Sequence, residues 1–148
     1  MKKNRFTIKG AKSKMAKALK IFVVPKIKAL GFSGTFPHFR RAMNDKFEFL
    51  SFQFNRHGGS FILECGFAKV ADLPEFAKDF PFEKLNYGLA PAKNRIRIKP
   101  DGIDQEDFWF AYDSFAEENQ FDELAKSVSV LLPKIEKFFR LLERVNGR

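Results

Sequence analysis

Few residues in this chain are equipped for acid–base, nucleophilic or metal chemistry. There are two histidines, His38 and His57, one cysteine, Cys65, and 18 Asp/Glu in 148 residues. His38 and Glu64 are the pair suited to act as general acid and base, if folding brings them to one substrate. Ser51, Gln53 and Asn55 share a period-two pattern with each other, and His38 and Arg40 share one in the preceding run. The histidines and Cys65 do not have metal-ligand spacing, and no Walker, GxGxxG, GxSxG or HExxH pattern is present. No metal, cofactor or catalytic residue is therefore assigned. His57-Gly58-Gly59-Ser60 matches an oxyanion loop in letters only, because strand-like runs flank it on both sides.

The element that must position these side chains is Phe47–Phe67, FEFLSFQFNRHGGSFILECGF. Two β-prone runs around Gly58-Gly59 predict a hairpin, since a type I′ turn needs positive φ at both central residues. With those glycines as a two-residue turn, Phe54 faces Leu63, Phe52 faces Cys65, Leu50 faces Phe67 and Glu48 faces Lys69. Gln53 then lies beside Glu64 and Asn55 beside Ile62 on the opposite face. A longer turn through Arg56–Ser60 would shift that pairing. Cys65 falls on the apolar side, where a small buried hydrophobe is expected rather than a nucleophile.

Phe36–Met43 reads as a third strand, turning at Asn44-Asp45. Arg41 then faces Glu48, Phe39 faces Leu50 and Pro37 faces Phe52. Arg41, Glu48 and Lys69 would make a charged row, and Pro37, lacking an amide donor, places this strand at an edge. Asn94–Lys99 alternates Ile96 and Ile98 with Arg95, Arg97 and Lys99, a half-buried strand. Asp107–Tyr112 is expected to be a fifth. The polar face so assembled collects His38, Arg40, Ser51, Gln53, Asn55, Glu64, Arg95 and Arg97, suited to a small polar or anionic ligand. The plainer alternative is a solvated sheet face whose groups satisfy one another. The segment Asp72–Leu89, with Pro74, Pro81 and Gly88, is expected to be a binding loop or a packed cover.

Helical periodicity marks the two ends. Met15, Leu19, Phe22, Val23 and Leu30 cluster on one side of Ala11–Leu30, with a break expected near Val23–Val24 because Pro25 cannot donate its backbone hydrogen bond. Lys14, Lys17, Lys20 and Lys28 lie mostly opposite, a candidate contact for an anionic partner. A second helix over Gln120–Arg144 is expected to be capped by Asn119 and kinked at Pro133. The expected fold is α+β: an antiparallel sheet of about five strands, with the N-terminal and the long C-terminal helix on one face. Residues 1–10 read as a basic tail and 11–148 as one domain.

Net charge is +9, unevenly placed. Residues 1–41 carry 12 of the 27 Lys/Arg and no acid, so the remainder carries 15 − 18 = −3. A single cysteine excludes an internal disulfide and fits a reducing compartment. No apolar run is long enough to span a membrane, and the basic start lacks a signal-peptide pattern.

Leu30-Gly31-Phe32, Phe39-Arg40, Phe52-Gln53, Gly58-Gly59-Ser60-Phe61 with Gly66, and a strand bearing Trp109 carry a resemblance. From Leu19 to Phe67, and less clearly on to Leu142, the chain resembles the uncharacterised bacterial proteins of domain of unknown function family 4304. The resemblance implies a small cytoplasmic α+β domain and carries over no functional residue. The expected function is a non-enzymatic binding or interaction domain that uses the polar face, the basic first helix, or both, with an acidic protein or a small ligand as partner. Two alternatives stand beside it: RNA or DNA binding through Lys12–Lys28 and Arg95–Lys99, and a small enzyme using His38 and Glu64.

Overall fold

The structure is a computed structural model that describes residues 8–146, with side chains through Leu141. The expected tail is thus mostly outside the described residues. The chain begins with a broken helix. α1 (Ala11–Phe22) buries Met15, Ala18 and Leu19, and α2 (Val24–Ala29) buries Ile27. The break falls at Val23, as expected, because Pro25 sits in the first turn of α2, where its missing N–H costs nothing. The closing helix has the same joint. It is two helices, α3 (Asn119–Ser129) and α4 (Leu132–Asn146), with Pro133 second in α4. Asn119 is the first helical residue rather than the cap. Gln120 Oε1 instead accepts from the backbone N–H groups of Ala116 and Glu117 at 2.7 and 2.8 Å.

Between the helices lies an antiparallel sheet. Its strands are β1 (Ser33–Thr35), β2 (His38–Met43), β3 (Lys46–Phe54), β4 (Ser60–Lys69), β5 (Arg95–Lys99), β6 (Gly102–Asp104) and β7 (Phe110–Ala111). The order is β1-β2-β3-β4-β5-β6, with β7 pairing the start of β4. The class is the expected α+β, but three details differ. β1 pairs outside β2, so β2 is not an edge; Pro37 lies in the two-residue link between them. β6 answers β5 across Pro100-Asp101. The Asp107–Tyr112 strand shrinks to Phe110–Ala111.

The β2–β3 register is the expected one: His38 opposes Ser51, Phe39 Leu50, Arg40 Phe49 and Arg41 Glu48. The β3–β4 register is displaced by two residues, so Phe54 opposes Phe61, Phe52 Leu63, Leu50 Cys65 and Ser51 Glu64. The cause is a five-residue loop, Asn55–Gly59, in place of a two-residue turn. Asn55 folds over its own backbone: its Oδ1 accepts from His57 N at 2.8 Å and its carbonyl from Gly58 N at 2.8 Å. Gly58 and Gly59 do take positive φ, and a Cβ on Gly59 would meet Asp113 Cβ at 2.8 Å. An even displacement leaves every side chain on its predicted face.

The helices cover one face. Phe39, Leu50, Phe52, Phe61, Leu63, Cys65, Phe67, Ile96 and Ile98 pack there with Met15, Leu19, Ile27, Phe121, Ile135 and Phe139. Each buried Phe or Leu of this set stabilises the fold by about 1.5–3 kcal/mol relative to exposure. Burial holds the Cys65 thiol well above its usual pKa. The opposite face is covered too. Residues 70–94 form five short 3-10 turns, which pack Leu73, Leu85, Tyr87 and Ala90 on Phe49 and Ala68. The alternative of a fully solvated sheet face is therefore replaced by a second, smaller core under the loop, with a cleft at its end.

A charge cluster sits at one end of the helical face. Arg41 donates to Glu48 (Nε–Oε1 2.8 Å), to Glu136 (Nη2–Oε1 2.6 Å) and to the Leu30 carbonyl (2.7 Å). Lys46 closes it at 3.2 Å from Glu48. Lys69 does not join, because the displaced register sets it against Lys46 and sets Glu48 against Phe67.

Candidate functional site

The outer-face residues divide into two groups. His38, Ser51, Gln53 and Glu64 converge on one cleft of about 620 Å³, with Asn86, Tyr87 and Gly88 of the covering loop on its other side. Phe36, Pro37, Phe52 and Phe54 supply its apolar wall and Lys12 of α1 stands at the rim. Arg40, Asn55, Arg95 and Arg97 do not line it. Arg40 is buried and donates from Nε to the Leu85 carbonyl. Arg95 donates to the carbonyls of Ala90 (2.7 Å) and Gly88 (3.0 Å) and lies over the Tyr87 ring. These two arginines fasten the loop to the sheet. Asn55 shapes the hairpin loop, and Arg97 bonds Asp107 at 2.8 Å.

Glu64 is the cleft's central group. It is only 5% exposed. Burial pushes its pKa above the ordinary carboxylate value, against the opposing pull of Arg97, whose nearest nitrogen is 3.8 Å away. With the Gln53 amide turned NH₂-inward, Gln53 donates to both Glu64 oxygens at 3.2 Å. Ser51, 3% exposed, lies between Glu64 and His38 in the register, and its Oγ is 2.9 Å from His38 Nδ1. Partial burial, then Arg40, lower the His38 pKa, which keeps the ring neutral near pH 7. Two strand spacings put the backbones of His38 and Glu64 roughly 10 Å apart. They share the cleft, with Ser51 between them.

Tyr87 is the cleft residue that the sequence pattern did not single out. It is 8% exposed, and its hydroxyl is buried close to Glu64, whose acidity it assists. Yet the hydroxyl makes no hydrogen bond of acceptable geometry to any described residue. Its own pKa is raised by burial and then by the Glu64 charge. Tyr112, in the helical core, has the other such hydroxyl and does not line the cleft. Gly66 makes the placement of Tyr87 possible, since a Cβ there would come within 3.2 Å of Tyr87 Cε1, 3.2 Å of the Asn94 carbonyl and 3.1 Å of Ala90 Cβ. Gly66 was the one available signal, a glycine mid-strand where another segment approaches closely.

The lysines of the basic helix separate likewise. Lys14 pairs with Glu118 at 3.1 Å, Lys20 lies over the Phe36 ring, and Lys17, Lys20 and Lys28 are exposed. No group of three His, Cys, Asp or Glu side chains is placed to hold a metal among the described residues. No helix there is long and apolar enough to cross a membrane.

Fold and cleft together define a single-sheet α+β domain, with helices on one face, a loop cover on the other and a cleft at the sheet's end where polar groups of the covered face meet an apolar wall. Within that class the chain belongs to the domain of unknown function (DUF4304) family, whose model matches residues 23–140. No curated protein and no solved structure matches it.

Proposed function

We propose that this chain is a small-ligand-binding domain and that the cleft between β2–β4 and residues 86–88 is its site. The observation that carries the reading is the buried Tyr87 hydroxyl without a partner, beside an under-compensated Glu64, in a cleft of ligand size. Polar groups left unsatisfied in a folded chain are costly, and a bound ligand would complete them. A cytoplasmic, bacterial setting goes with this reading. The lone buried Cys65 supports the reducing compartment and the family resemblance supports the source. A screen of polar small molecules against ¹⁵N-labelled protein tests the site. Hits should shift the amides of Ser51, Gln53, Glu64 and Gly88 together and bind His38→Ala up to about ten-fold more weakly, one lost hydrogen bond. Hits that bind elsewhere, or that ignore His38→Ala, refute it.

The exposed Lys17, Lys20 and Lys28 favour a second reading, in which an acidic protein or a nucleic-acid backbone docks on α1 and α2. Binding to random oligonucleotides that falls steeply with salt supports the nucleic-acid form, and none at low salt removes it.

A further inference from the structure

The cleft is polarised along its length. At its floor Glu64 offers a buried carboxylate, and the Tyr87 hydroxyl beside it makes no hydrogen bond of acceptable geometry to a described residue. At its mouth stands Lys12, over the Phe54 ring at 5.5 Å; Lys20 does not line the cleft but lies over the Phe36 ring of its wall at 5.6 Å. Neither lysine forms an ion pair among the described residues, and no acidic residue precedes Asp45 in the chain. Phe36 and Phe54, half-buried, wall the space between. A free anion would meet Glu64 at the floor, and a simple amine would meet Lys12 at the mouth. The ligand that suits both ends has adjacent N–H donors and a carbonyl at its head, a flat apolar body, and a negative tail.

We propose that the cleft binds a guanine nucleotide: the N1–H and exocyclic N–H₂ of the base donate to Glu64, its O6 accepts from Tyr87, and its phosphate meets Lys12. The assignment rests on the cleft being a ligand site, as proposed above. Arg97 cannot replace the base, because its guanidinium is 3.8 Å from Glu64 and already bonded to Asp107. Gln53, exposed, is free to swing aside. Adenine would turn a ring-nitrogen lone pair toward the carboxylate, a mismatch that leaves a buried acceptor unpaired. Burial raises the Glu64 pKa, and a donor edge from the base would favour its charged form.

Calorimetric titration of the full chain with guanosine 5′-monophosphate, guanosine, adenosine 5′-monophosphate and inorganic phosphate tests this. The guanine nucleotide should bind at least about ten-fold tighter than the adenine one. It should also exceed guanosine by a factor that shrinks as salt rises. Glu64→Gln should abolish the base preference, since the amide puts an N–H₂ donor where the carboxylate has its second acceptor oxygen. Should that variant fail to fold, Lys12→Gln, at an exposed position, should erase the difference between nucleotide and nucleoside. Equal binding of both nucleotides, or full competition by phosphate alone, overturns the proposal. If no nucleotide binds while other compounds still shift the cleft amides, the guanine assignment falls and the ligand site stands. If nothing shifts them, both fall.

Discussion

The two ends of the sheet handle buried charge in opposite ways. Under the helices, Arg41, Lys46, Glu48 and Glu136 form a closed set with two charges of each sign and several short bonds. On the loop side, Glu64 has Arg97 at 3.8 Å, a pair of 3.2 Å contacts from Gln53, and a hydroxyl neighbour with no bond of its own. The first arrangement is complete without any other molecule. The second is left short of partners and opens to solvent through a cleft. A fully matched set of buried charges is explained by the fold alone, whereas a partly matched one beside an opening calls for a further explanation, and the ligand site proposed above supplies one.

Four substitutions can break or sharpen that contrast. Glu48→Ala leaves Arg41 and Lys46 in the core with Glu136 alone, and should cost about 3–5 kcal/mol in urea unfolding. A loss under about 1 kcal/mol would show the charge set to be dispensable and as loosely matched as the cleft. Tyr87→Phe should act in the opposite direction. It deletes a buried hydroxyl without a partner, so the unliganded protein should gain about 1 kcal/mol while ligand affinity falls. A comparable loss of stability would mean that the hydroxyl is bonded in solution and that the two regions are alike.

The smallest effect is a slope. Glu64 has a raised pKa in the folded state, so its contribution is most favourable at low pH and is lost as pH climbs from about 4.5 through the folded value. Glu64→Gln should therefore lose a downward slope of stability with pH that begins near the unfolded carboxylate value. His38 works the other way. Its pKa is lowered from 6.5, so stability is lost as pH falls from 6.5 through the folded value, and His38→Gln should remove that upward slope. Chemical denaturation at several pH values reads both, and parallel curves for wild type and Glu64→Gln would show that Glu64 ionises in the fold as it does in the unfolded chain.

How much of this was legible depended on how local its cause was. The sorting of faces was readable, because alternation along Phe47–Phe67 survives an even shift of register. The shift was legible only as the longer-turn alternative, since its size came from Asn55 bonding its own loop rather than from the glycines. His38, Ser51, Gln53 and Glu64 could be grouped from the strand pattern alone. The exclusion of Arg40, Arg95 and Arg97 could not, because Arg40 is drawn to Leu85, far along the chain, and Arg95 and Arg97 to loop groups whose placement depends on how those loops fold back.

From the order of residues alone follow the breaks at Pro25 and Pro133, the apolar face with Cys65 inside it, and a basic first third. Each is set by neighbours a few positions apart, through a missing N–H, an alternation or a local charge count. The cover over the second face, the seat of Tyr87 against Gly66, and the exchange of Lys69 for Lys46 and Glu136 around Glu48 arise only in three dimensions. Those contacts join segments far apart in the chain, and only packing the loop and α4 against the sheet decides which donor reaches which acceptor.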